Sequence, residues 1–430
     1  MYSGEIQQQL EEEDIEIGDR VSVDGHEGRL MPKPESGDPD TLVIKLESGY
    51  NIGVRGEPEL VEKQESGERE KPDIEHEEDR PDILVLHTGG TIASRVSYEE
   101  GGVKPAFDPE DLLEMYPEVA EEVNIHSEVV AQMLSEDMEP GHWQQIAEKI
   151  DEVKDDYDGI IVGHGTDTMA YTGAALTLML KGIDTGVLLV GAQRSSDRPS
   201  SDASMNLYCA AKFLSETGFE GVGICMHGSS SDDECVILPG AKARKMHTSR
   251  RDAFEAVNAA PLGKVNYQAG EIETDFEENN DEYEFRPELE TDVRLLKTRP
   301  GLKVDEVEHL VEQSPAGVVI EGTGLGHAPV NAFDDVTSHH EEILEKMGEL
   351  ADDAVVAMAS QCINGRVDMD VYDAGLKIQE AGVTSAEDMH PELAYVKMMW
   401  ALGQASGEDA EELFRKNVNG EISERSLYGN

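Results

Sequence analysis

Thr91 and Thr166 are the residues around which a reaction is most simply written. Each follows a short apolar run and a glycine-containing turn. Ile83 to Leu86 leads into His87-Thr88-Gly89-Gly90-Thr91, and Ile160 to Val162 leads into Gly163-His164-Gly165-Thr166-Asp167-Thr168. Continuous apolar runs of this length read as strands buried on both faces. Both hydroxyls then sit at the carboxyl ends of strands, where ligands bind in open α/β sheets. The glycines let backbone and substrate approach closely. A threonine hydroxyl is a weak nucleophile until a base takes its proton. One site between the two turns, with a threonine attacking, is therefore the expectation.

His164 invites a reading as the general base. Between Gly163 and Gly165 it reads instead as a residue that shapes the turn. Thr166, Asp167 and Thr168 precede an expected helix at Met169 to Lys181, where such residues are favoured caps. A helix has only one cap position, so capping alone does not account for three in a row. The two roles are compatible, because a helix N-terminus also stabilises an anionic group.

The elements that must position these residues alternate. From Asp82 to about Ala260, strands at Ile83–Leu86, Ile160–Val162, Val187–Val190 and Val222–Met226 are separated by helices at Pro140–Lys154, Met169–Lys181 and Ser201–Glu216. That order predicts a parallel sheet with helices on both faces, the α/β class. Residues 261–299 read as an acidic connecting segment with a hairpin around Tyr283–Phe285. The α/β pattern restarts over 300–430, with strands at Gly317–Ile320 and Val355–Ala359. Helices follow near Asp373–Ala381, Pro391–Ala405 and Asp409–Lys416, after one at Asp305–Gln313. Ahead of this core, residues 1–14 read as a frayed, flexible N-terminus. Residues 15–63 carry short β-like runs that suggest a small SH3-like barrel, and 64–81 a charged linker with two prolines.

At 430 residues, several domains and a large core are expected. No run of about 18 apolar residues is present and no secretory leader is evident, so a cytoplasmic location is the default. Cys209, Cys225, Cys235 and Cys362 are scattered and read as reduced, mainly buried thiols rather than a zinc site or disulfide framework. The formal charge of −57 would suggest disorder, but the regular apolar runs favour a folded chain. The acid is then a solvated surface of the kind a halophile carries, with self-repulsion screened at molar salt. Such a charge also argues against broad, nonspecific RNA binding by this chain alone. His339-His340 is adjacent and lacks zinc-enzyme spacing. The third glycine of Gly322-Thr-Gly-Leu-Gly326 falls one residue early for a dinucleotide loop, and no P-loop is found.

The stretches Thr88-Gly-Gly-Thr-Ile-Ala93 and His164-Gly-Thr-Asp-Thr-Met169 together resemble the two signatures of bacterial-type L-asparaginases and glutaminases. The N-terminal β segment, with Lys45-Leu-Glu-Ser-Gly-Tyr-Asn-Ile-Gly53, and the stretch Lys245-Met-His-Thr-Ser-Arg-Arg-Asp-Ala-Phe254 narrow the match. They resemble the D-type subunits of archaeal glutamyl-tRNA(Gln) amidotransferases.

The resemblance implies a two-domain asparaginase-like fold, a larger parallel-sheet domain at 82–260 and a smaller α/β domain at 300–430, behind the small β domain. It implies that Thr91 forms the acyl-enzyme and that Thr166, Asp167 and Lys245 complete the catalytic set. Lys245 would accept a proton directly or through water. Asp167 would orient that network or hold the substrate's ammonium, and which group serves as base stays open at this point. Lys245 could also belong to an ordinary basic patch with Lys242, Arg244, Arg250 and Arg251. Ser135-Glu-Asp-Met138 resembles the family's substrate clamp, with Ser135 on the amino-acid carboxylate and Glu136 in place of a glutamine. Tyr98 is either a lid tyrosine or a plain loop residue; its spacing differs from the asparaginases. The implied reaction is glutamine hydrolysis, with ammonia supplied to a partner. That partner, the E-type subunit of the amidotransferase, would bind Glu-tRNA(Gln) and use ATP and magnesium, while this chain holds no metal or cofactor. A homodimeric core joined to the E-type subunit, as a heterodimer or heterotetramer, is the implied assembly. A free-standing L-asparaginase is the alternative.

Overall fold

A computed structural model of the chain describes residues 2–31, 38–46, 51–63, 77, 79–89, 94–96, 103–105, 119, 122–194 and 200–426. Thr91 and Tyr98, and nearly all of the expected linker 64–81, lie outside these residues.

The small β domain is a five-stranded antiparallel sheet. Its order is Asn51–Val54, Leu42–Lys45, His26–Leu30, Arg20–Val23, Pro58–Glu62. One face is closed by a helix, Gly4–Glu12, which Ser3 caps by accepting from the Ile6 amide at 3.3 Å. Tyr2, Ile6 and Leu10 recur every fourth residue, so they share one helix face. They bury against Val21, Val23, Leu30, Leu42 and Ile44. Residues 2–14, expected to be frayed, are therefore an ordered part of this domain; packing outweighs the weak apolar content of a Gln- and Glu-rich segment.

The larger sheet has eight strands in the order Ile272–Thr274, Gly263–Asn266, Glu234–Pro239, Gly221–His227, Gly186–Val190, Gly159–Gly163, Asp82–Gly89, Asn124–Met133. The last five are mutually parallel and the first three extend them antiparallel. The sheet is thus mixed rather than purely parallel. Alternation along Asp82–Gly89 feeds two cores. Leu84 and Leu86 pack with Trp143, Ile146 and Ile150 of the helix Pro140–Val153. Ile83 and Val85 pack with Phe213 of the helix Ala203–Thr217 on the opposite face.

A second sheet is parallel, in the order Val293–Lys297, Gly317–Gly322, Val355–Ser360, Thr384–Ser385. The segment 261–299, read as a connection, contributes strands to both sheets. The hairpin expected around Tyr283–Phe285 does not form; Glu284–Phe285 pairs instead with the distant Leu180–Lys181. The helix His340–Asp353, not anticipated, buries Ile343, Met347 and Leu350.

The two halves share one interior. The helix Met169–Met179 is buried along almost its whole length and packs on the helix Pro391–Gln404 of the second half. A single apolar cluster runs from Leu84 through Leu176 to Trp400. Trp400 is fully buried, and its indole N–H donates to Arg286 O at 3.1 Å.

Candidate active site

Parallel pairing of Gly159–Gly163 with Asp82–Gly89, with Gly163 opposite His87, brings both strands out on the same edge of the sheet. The Thr88 hydroxyl donates to Gly163 O at 2.9 Å and ties the two ends together. Gly89 has φ +107°, and a Cβ there would stand 2.2 Å from Met133 O, so no other residue fits this exit. Thr91 follows two positions later.

Beyond Gly163 the chain makes a tight turn held from inside by His164. Its ring is fully buried, and burial lowers its pKa to about 4. The neutral ring donates from Nδ1 to Gly165 O at 2.6 Å and accepts from the Thr172 hydroxyl at Nε2, 2.8 Å away. Both nitrogens are thereby occupied, which makes His164 a turn-shaping residue, as the flanking glycines suggest. Thr172 was not anticipated; it lies eight residues downstream, where no local pattern marks it.

Thr168 opens the helix Met169–Met179, yet its side chain makes no cap hydrogen bond. Its hydroxyl donates instead to Ser135 O at 2.6 Å. Ser135 begins a short 3₁₀ turn, Ser135–Asp137, at the end of the edge strand, and is itself buried. The approach is close enough that a Cβ at Gly165 would fall 2.7 Å from Ser135 Cβ and 2.8 Å from its Oγ. Ser135 thus lies directly against the Thr166 turn, with Glu136 beside it and exposed.

Lys245 arrives from a two-stranded hairpin, Ala243–Lys245 with Phe254–Ala256. Its Nζ donates to Thr166 Oγ1 at 2.9 Å and to Asp167 Oδ1 at 2.8 Å. The Lys245 side chain is only 14% exposed while Asp167 is 64% exposed, so the cluster is open to solvent from the Asp167 side. The neighbouring cations are engaged elsewhere. Lys242 is buried against Asp388 and Ser423, both at 2.6 Å. Arg244 holds Glu392, Arg250 holds Asp252 and Arg251 holds Asp232. Burial disfavours a charged Glu392, but hydrogen bonds from His390 and Arg244 overcome it and keep that carboxyl well below its ordinary pKa. A free basic patch is therefore not what surrounds Lys245.

The structure brings together Thr166, Asp167, Lys245 and Ser135, residues drawn from three separate stretches of chain. An amine that hydrogen-bonds both a hydroxyl and a carboxylate can pass a proton away from an attacking oxygen. Elsewhere, Gly322–Gly326 closes as a turn with Thr323 bridged to His327, and the next described helix along the chain begins only at His340. His339 and His340 stack edge to face. Among the described residues no group of three or more His, Cys, Asp or Glu is arranged to hold a metal ion. None of the helices among them is long and apolar enough to cross a membrane. Cys209, Cys225 and Cys235 are buried and Cys362 is exposed, all as free thiols.

Comparison with known proteins agrees with this architecture. Residues 82–279 match the asparaginase N-terminal family, 292–414 the glutaminase/asparaginase C-terminal domain, and 15–63 the GatD N-terminal domain. Among solved structures, the thermostable L-asparaginase from Thermococcus kodakarensis superposes with a TM-score of 0.70 at 31% identity, covering 80% of this chain and 99% of that one. L-asparaginase I from Vibrio cholerae gives 0.69 at 27% identity over the same shares. Fold and family matches together define an asparaginase/glutaminase-type chain carrying an extra β domain. The D-type subunit of glutamyl-tRNA(Gln) amidotransferase from Methanopyrus kandleri is 42% identical over 100% of this chain and 96% of its own length. The protein of the same name from Pyrococcus abyssi is 43% identical over 96% of each. The chain belongs to the family of D-type glutamyl-tRNA(Gln) amidotransferase subunits.

Proposed function

We propose that this chain is the glutaminase subunit of the tRNA-dependent amidotransferase that converts Glu-tRNA(Gln) to Gln-tRNA(Gln). The Thr91 oxygen attacks the glutamine carboxamide carbon, ammonia leaves carrying the transferred proton, and a glutamyl ester remains on Thr91. Water then cleaves the ester and releases glutamate. Thr166, Lys245 and Asp167 form the proton relay. When Lys245 lacks its extra proton, the Thr166 hydroxyl donates to it, and a proton accepted there is held as an ammonium against Asp167. Ser135 and Glu136 hold the amino-acid end of glutamine, and Tyr98 covers it. The ammonia passes to the E-type subunit, which holds Glu-tRNA(Gln), ATP and magnesium, and the assembly is built on a homodimer of this chain in the cytoplasm.

The observation that carries this reading is the double contact of Lys245 with Thr166 and Asp167. Loss of Thr91, Thr166, Asp167 or Lys245 should abolish glutamine-dependent amidation and leave ammonia-dependent amidation intact. A well-folded Thr91→Ala or Lys245→Ala chain that lost both activities would defeat the assignment. The solved neighbours named L-asparaginase favour a second reading, a free-standing asparaginase. The extra β domain and the full-length match to the amidotransferase family weigh against it. Ammonia release from asparagine matching that from glutamine, without partner or tRNA, would reverse this choice.

A further inference from the structure

Behind Thr166 lies a buried polar chain that the reaction as written does not use. Gly191 packs so closely on the Thr166 turn that a Cβ there would stand 2.9 Å from Thr166 Cγ2. The Gly191 carbonyl accepts from the Asn206 amide nitrogen at 2.9 Å, and the same nitrogen donates to Asp202 Oδ2 at 3.2 Å. Two acceptors on that nitrogen fix which way the amide faces, so Oδ1 must point the other way. It points at His227 Nδ1, 2.7 Å away, which donates to it. Nε2 of the same ring lies 3.4 Å from Asp232 Oδ1, and Asp232 pairs with Arg251. Asn206 and His227 are fully buried.

Arg251 belongs to the loop that closes the hairpin bearing Lys245, where Met246 N donates to Ala253 O at 2.6 Å. The chain of contacts therefore begins at the backbone beneath Thr166 and ends at the tip of the element that delivers Lys245. From this we propose that Asn206 and His227 are positioning residues, which set the distance between Lys245 and Thr166 by linking the Gly191 backbone to the Arg251 loop. The proposal rests on the relay assigned above. Buried hydrogen bonds such as those from Gly191 to His227 hold one arrangement because a break leaves a polar group unpaired. A displacement of about 1 Å at reacting groups costs on the order of a hundredfold in rate.

The test uses the full-length chain together with its partner subunit, reading ammonia release from glutamine and covalent labelling by diazo-oxo-norleucine. His227→Ala should lower kcat roughly ten- to a hundredfold with KM within about twofold. His227→Asn, whose amide nitrogen can stand where Nδ1 stood, should recover a substantial part of the loss. In a Lys245→Ala background, where turnover is abolished, the residual rate of diazo-oxo-norleucine labelling should fall by less than about twofold on adding His227→Ala, because there is no longer a lysine to misplace. An equal loss in both backgrounds, or unchanged kcat in the single variant, overturns the proposal while leaving the relay intact. A Lys245→Ala chain with full activity would instead overturn the relay itself. Should His227→Ala fail to fold, Asp232→Asn at the half-buried end of this network carries the same comparison, with the same outcomes deciding.

Discussion

The Thr168 hydroxyl donates to the Ser135 carbonyl across 2.6 Å, joining the turn after a central strand to the turn after the edge strand. A residue at a helix cap position spends its side chain on a neighbouring loop instead of on its own helix. Ser135 O keeps a second donor, the Met138 amide at 3.2 Å. Thr168→Val, which preserves shape, therefore removes one hydrogen bond worth about 1 kcal/mol and loosens the Ser135 turn. The expected result is a rise in the glutamine KM of roughly five- to tenfold with kcat within about twofold. An unchanged KM would show that Ser135 is held without this tie.

His164 and His87 both carry pKa values lowered to about 4 by burial. The unfolded chain binds protons at these sites from about pH 6.5 downward, whereas the folded chain does not until about pH 4. Their contribution is complete above pH 6.5 and is lost as the pH falls through that window. At about pH 5 the loss is about 2 kcal/mol for each ring. Denaturant titrations of the parent and of His164→Gln at about pH 7 and 5 should show the variant losing less stability on acidification, by about that amount. Equal losses would mean that His164 titrates as it does in the unfolded chain.

Lys242 and Asp388, each 2% exposed, form an ion pair between the first half of the chain and the second. Removing Lys242 leaves the buried Asp388 carboxylate only Arg366 as a counter-charge, 3.9 Å from its Oδ1, so the cost should be at most about the 3–5 kcal/mol of a fully broken buried pair. Lys242→Met should be destabilised by up to that amount. Lys242→Met combined with Asp388→Leu should regain much of it, although Asp388 also accepts the Ser423 amide at 3.0 Å. Differential scanning calorimetry of the parent and the two variants checks this, and a mild Lys242→Met would show the pair to be dispensable.

The net charge of −57 makes self-repulsion the dominant destabilising surface term at low salt. With the Debye length falling from about 10 Å near 0.1 M to about 3 Å near 1 M, the thermal midpoint should climb steadily with potassium chloride. A midpoint that does not move across that range would remove the case for a halophile surface.

What could be read from the residues depended on how each element is buried. Ile83–Leu86 and Ile160–Val162 were legible because both faces are covered and the apolar run is unbroken. Gly263–Asn266, Ile272–Thr274 and Val293–Lys297 escaped notice because solvent takes one face or more, and Lys, Glu and Arg interrupt the pattern. Glu284–Phe285 departs from the hairpin its residues suggest for another reason: its partner is about a hundred residues away, and strand pairing at that range leaves no local mark. The helix Gly4–Glu12 did leave a mark, the four-residue spacing of Tyr2, Ile6 and Leu10, beneath a composition that suggested fraying. Thr166, Asp167, Lys245 and Ser135 were identifiable by resemblance, but the acceptors of Thr168 and Asn206 belong to tertiary contact alone.

The helix that Thr168 begins is wedged between the large sheet and the helix Pro391–Gln404. Severing the chain between its two sheets would tear open a single oily interior instead of parting two bodies. Heat should accordingly melt both halves in one cooperative step. Thr166 stands at the head of that wedge, so the stiffness of its hydroxyl is borrowed from residues at the far end of the polypeptide.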